Sequence, residues 1–151
     1  MSTDHIYDVH LQWKADRLGM ISSSALPTSI EVATPPDFPK GMPGIWSPEH
    51  LFVAAVSSCL MTTFLAVAEN SKFDYLDFSC DAKGIVDRKD GKFRVTEITL
   101  NPTLIIDNPD NEIKAKRILE MSEKACLISN SITSEVKFNP TIVIKETLLN
   151  H

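Results

Sequence analysis

Three thiols, Cys59, Cys80 and Cys126, are the most reactive side chains in this 151-residue chain. Spread far apart, they do not resemble the even, dense cysteine framework of a secreted mini-domain. A reducing, cytoplasmic setting is therefore expected, in which any disulfide is transient and catalytic or sensing. Cys59 falls inside a long apolar run, and Cys126 lies near the end of a second helical pattern. Two packed helices could bring those sulfurs together, and a disulfide would need Cα atoms within about 7 Å. The same positions suit cysteine as a small buried hydrophobe. Cys80, on the apolar phase of a strand, reads as core packing.

A thiol in mid-helix gains little from the helix dipole, so a thiolate there needs a cation nearby. Arg17, in an early turn, is a candidate, and Glu49 could orient its guanidinium through a bidentate pair. The alternatives are a solvated turn arginine and a glutamate that only complements a helix N-terminus. Other catalytic patterns are missing: no Gly-x-Ser-x-Gly elbow, no phosphate-cradling glycine loop, no dinucleotide fingerprint. His5, His10, His50 and His151 are scattered and form no metal-ligand spacing, so neither a metal nor a cofactor is expected. With a net charge of −5 and a pI near 5.3, the chain would be repelled by a phosphate backbone, so nucleic acid is not an expected partner.

The elements that must hold these residues are legible from periodicity. Tyr7, Val9, Leu11 and Trp13 alternate with polar residues as a half-buried first strand; Asp16 to Gly19 reads as a turn. A second strand begins near Met20, and Ser29–Ala33 forms a third. Thr34 to Pro48 is a loop stiffened by Pro35, Pro36, Pro39, Pro43 and Pro48. Ser47 as N-cap, Pro48 in the first position and Glu49 at the dipole's positive end announce a helix running to about Glu69–Asn70. Phe52, Ala55 or Val56, Cys59 and Thr63 share one of its faces.

Leu76, Phe78, Cys80 and Ala82 mark the next strand, Asp90-Gly91 a hairpin turn, and Phe93 with Val95 its return. That return continues with a change of face through Ile98 and Leu100, and resumes after Pro102 at Leu104–Ile106. A second helix starts near Asn108-Pro109 and buries Ala115, Ile118, Leu119, Ser122, Ala125 and Cys126. Ser129-Asn130-Ser131 ends or redirects it, and Val136 to Lys145 reads as one last strand.

This order, with only two long helices among hairpin-joined strands, predicts an α+β fold in a single domain, residues 1–151. Leu51 to Ala68 runs 18 residues without a charge, which raises a transmembrane question. Its internal serines and threonines, the bracketing Glu49 and Glu69, and the lack of basic flanks favour a buried helix and no membrane partner. The opening residues show no basic region followed by an apolar stretch, so no signal peptide is expected. A helix apolar on all sides needs more cover than one sheet and one partner helix supply, and a second subunit would provide it.

Ser47-Pro48-Glu49-His50-Leu51-Phe52 followed by Ser57-Ser58-Cys59 resembles the Pro-Glu-x-Leu…Cys signature of the OsmC/Ohr family. Cys126-Leu127-Ile128-Ser129-Asn130 resembles that family's Cys-x-x-Ser-Asn motif, and Trp13…Arg17-x-Gly19 its arginine-glycine turn. The three blocks stand in family order, and the element sequence matches over nearly the whole chain. Two departures are Leu127, where many members have proline, and Ser47, where asparagine or threonine is common. The resemblance implies an intertwined homodimer with two central helices backed by antiparallel sheets. It implies reduction of organic hydroperoxides and recycling by a dithiol reductant such as a lipoylated protein. Carried over by position, Cys59 is peroxidatic, Cys126 resolving, and Arg17 with Glu49 activate the thiolate. A rival reading of the same residues is a non-enzymatic dimer that binds a small apolar ligand between subunits and keeps both cysteines as packing.

Overall fold

In the computed structural model, which describes residues 4–146, the chain forms an α+β structure divided into two compact units, Met1–Leu51 and Phe52–His151. His151 lies outside the described residues.

The N-terminal unit is an antiparallel three-stranded sheet of β1 (His10–Ala15), β2 (Leu18–Ser23) and β3 (Leu26–Ala33), in that order. The β1–β2 turn is tighter than predicted. Ala15 pairs with Leu18, so Leu18 and Gly19 already belong to β2. Asp16 takes a positive φ of 48°, and the Trp13 indole N–H closes the turn on the Asp16 carbonyl at 3.0 Å. The half-buried first strand is a correction: every residue of β1 is exposed in the single chain, with Leu11 at 63% and Trp13 at 69%. The proline loop folds back on itself through Phe38 N–H to Pro35 O, Gly41 N–H to Phe38 O and Met42 N–H to Thr34 O. Only glycine fits at 41, because a Cβ there would stand 2.0 Å from the Pro35 carbonyl oxygen.

The loop delivers Ser47 to the start of α1 (Pro48–Asn70), where its buried Oγ accepts the His50 N–H at 3.1 Å. This satisfies one of the donors that a helix N-terminus leaves free, as the Ser-Pro-Glu spacing predicts.

In the C-terminal unit, β4 (Asp77–Lys89) and β5 (Lys92–Ile106) form one long antiparallel hairpin. Its turn places Asp90 and Gly91 at φ 54° and 77°, the left-handed region that an Asp-Gly pair tolerates. Pairing jumps from Ile85↔Glu97 to Val86↔Val95, leaving Thr96 as a bulge. That extra residue is the cause of the predicted change of face: beyond it Ile98, Leu100, Pro102, Leu104 and Ile106 all point into the core.

A 3-10 turn at Pro109–Asn111, capped by the Asn108 side chain, precedes α2 (Glu112–Ala125). The predicted final strand is two, β6 (Glu135–Phe138) and β7 (Thr141–Ile144), interrupted at Asn139-Pro140. Both run parallel to β5, whereas the sequence reading had antiparallel sheets throughout. The break falls opposite Pro102, which has no N–H to give; β6 pairs β5 up to Leu100 and β7 resumes at Thr103.

Both helices bury their apolar rows on the inward face of this sheet. Phe64 and Ala68 of α1 meet Leu104, Ile106, Ala115, Ile118 and Leu119, while Val56 and Leu60 meet Ile98 and Leu100. The fully buried row of α1 is therefore Val56, Leu60, Phe64 and Ala68; the predicted row through Phe52, Cys59 and Thr63 lies half-buried beside it. Ala125, predicted in the buried stripe of α2, is exposed because the helix ends there. By length and composition α1 is apolar enough to cross a membrane, yet the single chain buries only a small part of it. Met61 and Leu65 lie 40% and 39% exposed on the opposite face, so the predicted cover on all sides is not supplied by one chain.

Candidate active site

Two helical elements place the paired thiols. Cys59 stands on the fourth turn of α1, half-buried, with Thr63 one turn further along and its Oγ1 3.9 Å from the sulfur. Cys126 is the residue that caps the C-terminus of α2, fully buried, in an extended conformation (φ −63°, ψ 114°). Its Sγ lies 4.0 Å from the Val56 carbonyl of α1, three residues before Cys59. The two thiols are close enough to perturb each other's ionisation. The sequence placed both cysteines on helices; the structure puts Cys126 just past one, where the chain turns.

The electrostatics differ sharply between the two. Burial pushes the Cys59 thiol up, but the main-chain N–H of Ile128, the Cys126 thiol, the Thr63 hydroxyl and the Leu127 N–H together outweigh it and leave its pKa below the ordinary value. For Cys126, burial also pushes upward. The Ser129 hydroxyl and N–H pull it down, the Cys59 sulfur raises it again, and the net pKa is above the ordinary value. The thiolate is therefore favoured at Cys59 and disfavoured at Cys126. Cys80 is held up by burial and the Asp81 charge, against one main-chain bond from Asn101, which fits its reading as packing.

The sign of the pH dependence follows. A thiolate is the reactive form, so reactivity rises with pH and is lost as pH falls through the group's own pKa. Alkylation followed by peptide mass spectrometry is expected to label Cys59 at a lower pH than either Cys80 or Cys126. Labelling of Cys80 first would contradict the assignment.

The other two candidates belong to the N-terminal unit. Arg17 is exposed and lines a cavity of about 270 Å³ with Leu11, Trp13, Leu18, Gly19, Val32, Ala33, Thr34 and Pro48. Glu49 is half-buried on the first turn of α1, ten residues before Cys59 and so about 15 Å along the axis. Neither is among the groups that set the Cys59 pKa within the chain, all of which lie at 63 and 126–128. The predicted list also lacked Leu127, Ile128 and Ser129. The Cys-x-x-Ser-Asn spacing was their only signal, since a main-chain donor has no residue-type signature.

The fold thus brings a half-buried thiol on α1 and a buried thiol at the end of α2 together in one α+β structure. The chain belongs to the OsmC-like protein family, whose model matches residues 41–141. It is similar to the protein YmaD of Bacillus subtilis, 26% identical over 150 residues, covering 94% of this chain and 96% of YmaD. Among solved structures, an OsmC-like protein of unknown function from Vibrio cholerae shares the fold with a TM-score of 0.81 at 22% identity, covering 91% of this chain and 99% of that one. An organic hydroperoxide resistance protein from Elizabethkingia anophelis does so at 0.75 and 20% identity, covering 96% and 100%.

Proposed function

We propose that the protein is a thiol peroxidase that reduces organic hydroperoxides. The observation that carries this reading is the asymmetric pair: a half-exposed Cys59 whose thiolate is favoured, facing a buried Cys126 whose thiol is kept neutral. The name of the similar Elizabethkingia anophelis structure supports the substrate class. The Cys59 thiolate attacks the distal peroxide oxygen, the O–O bond breaks, and the alkoxide leaves with a proton as the alcohol. Cys59 becomes a sulfenic acid; the Cys126 thiol displaces its hydroxyl, forming the disulfide and releasing water. A dithiol, such as a lipoylated protein, then takes the oxidising equivalents and restores both thiols. This cycle needs a reducing compartment, and we place it in the cytoplasm. The test is consumption of an alkyl hydroperoxide supported by a small dithiol. Absence of turnover with any dithiol or monothiol would overturn the reading.

Arg17 and Glu49 complete the proposed site, the cation adding to the stabilisation of the thiolate. Arg17→Met is expected to slow the peroxide reaction about tenfold and to raise the midpoint of its pH–rate profile, because a favourable charge is removed. An unchanged profile would make Arg17 a bystander.

The working unit is proposed to be a homodimer. The open face of α1 at Met61 and Leu65 is apolar surface that a second copy would cover, and the exposed apolar residues of β1, in the other unit, are likewise open to one. Light scattering is expected to report twice the 16.8 kDa chain mass at low micromolar concentration; a stable monomer there would contradict it.

A further inference from the structure

The donor accounting of the turn after α2 carries an inference about how Cys59 is activated. At this helix end the ordinary acceptors of the next two N–H groups are already taken. The Glu123 carbonyl, due to the Leu127 N–H, accepts Cys126 N–H at 3.2 Å instead. The Lys124 carbonyl, due to the Ile128 N–H, accepts the Asn130 side-chain amide at 3.0 Å. The rest of the turn is closed by Asn130 N–H to Cys126 O at 3.1 Å, Ser131 N–H to Ile128 O at 3.0 Å and Ser131 Oγ to Leu127 O at 2.8 Å. Leu127 and Ile128 therefore have no carbonyl partner within the turn, and the turn lies against the stretch of α1 that carries Cys59: Ile128 packs on Val56 and Leu60, Cys126 Sγ lies 4.0 Å from the Val56 carbonyl, and both amides pull the Cys59 pKa down. An amide whose carbonyl acceptor is taken is a ready donor, and an anionic sulfur is a stronger partner for it than water, most of all at the half-buried Ile128.

We propose that the Cys126–Ser131 turn is a thiolate cradle for Cys59, in which the Leu127 and Ile128 amides hold the sulfur and Asn130 is the positioning residue that frees the Ile128 amide by occupying the Lys124 carbonyl. The inference rests on Cys59 being the nucleophile of the proposed peroxidase. It goes further in making activation partly intrinsic to the C-terminal unit, independent of Arg17. Among the described residues the titratable group that acts on Cys59 is Cys126, whose own pKa is pushed up while that of Cys59 is pulled down, and Thr63 is neutral. Placing the amides on the resolving cysteine's own turn couples the two roles: whatever moves Cys126 toward Cys59 moves the donors with it.

The test removes one donor. Leu127→Pro deletes an N–H, and the extended conformation of Cys126 (φ −63°, ψ 114°) is the one a following proline requires, so the backbone can accept it. Cys59 alkylation by iodoacetamide is followed against pH by peptide mass spectrometry, with no peroxide present. Leu127→Pro is expected to slow labelling at neutral pH by about tenfold and move the midpoint upward, in the wild-type and the Arg17→Met backgrounds alike. Leu127→Ala, which keeps the amide, is expected to overlay wild type. Asn130→Ala is expected to shift the midpoint the same way by a smaller amount. A folded Leu127→Pro protein with an unchanged midpoint overturns the cradle. If circular dichroism shows that variant unfolded, Asn130→Ala decides, and an unmoved midpoint there overturns it equally. Because the readout is alkylation, a shifted midpoint in a protein that consumes no peroxide would uphold the cradle while defeating the peroxidase.

Discussion

Cys59→Ser is expected to abolish hydroperoxide turnover, whereas Cys126→Ser still completes one round of oxidation. The difference follows from what each sulfur does. Attack on the peroxide needs the favoured thiolate, and no other thiol in the chain is held in that state: both Cys80 and Cys126 are pushed the opposite way. Resolution needs only a neutral thiol within reach. Without Cys126 the sulfenic acid has no internal partner and continues up the oxidation ladder under excess peroxide. Mass spectrometry of oxidised Cys126→Ser should therefore show two added oxygens on the Cys59 peptide. Oxidised wild type should instead show a Cys59–Cys126 crosslink two hydrogens lighter, and Cys80→Ser should alter neither result. A Cys126→Ser protein that turns over like wild type without over-oxidation would reduce Cys126 to packing.

The largest stability effect is expected at Phe64. Its side chain is fully buried, stacked on Phe78 at 4.8 Å and edge-on to Tyr75 at 5.1 Å, in the cluster that joins α1, α2 and the sheet. Phe64→Ala should cost about 3–5 kcal/mol, the lost transfer energy plus the cavity that rigid neighbours cannot close. Urea unfolding at fixed protein concentration measures it, and a loss below about 1 kcal/mol would show that the cluster repacks. Leu65→Ala on the open face is the informative control. It costs next to nothing in an isolated chain, but a loss that grows as the protein is diluted reports a partner seated on that face.

The start of α1 was fully legible, because Ser47, Pro48 and Glu49 each act on the backbone next to them. So was the α+β class, and so was the change of face in β5. The cause of that change, the Thr96 bulge, was not, since it depends on which residue of β4 stands opposite. The direction of β6 and β7 was hidden for the same reason. Alternation in Val136 to Ile144 marks a strand but says nothing about the neighbour it joins, and Pro140, inside that single predicted strand, marks the interruption. At the site, the cysteines could be picked out by type. The donors on Leu127 and Ile128 could not, because an amide is present at every residue but proline and only the surrounding acceptors decide which ones are free.

The asymmetry of the larger sheet has a consequence for how the chain reaches this fold. β4 and β5 are joined by a two-residue turn, so their ladder can close locally on the microsecond timescale typical of hairpins. β6 and β7 must find β5 across the whole of α2, pairing Glu97 with Glu135 and Thr103 with Thr141. Contacts between such distant positions carry the loop-closure entropy that slows folding, and a parallel addition has no hairpin to guide it. The hairpin therefore precedes the parallel edge, and until α2 docks, the inner edge of β5 stands open to strands of other chains. During synthesis that interval is long: the ribosome releases β5 well before β6 exists, and the nascent protein is most prone to misassociation in that window.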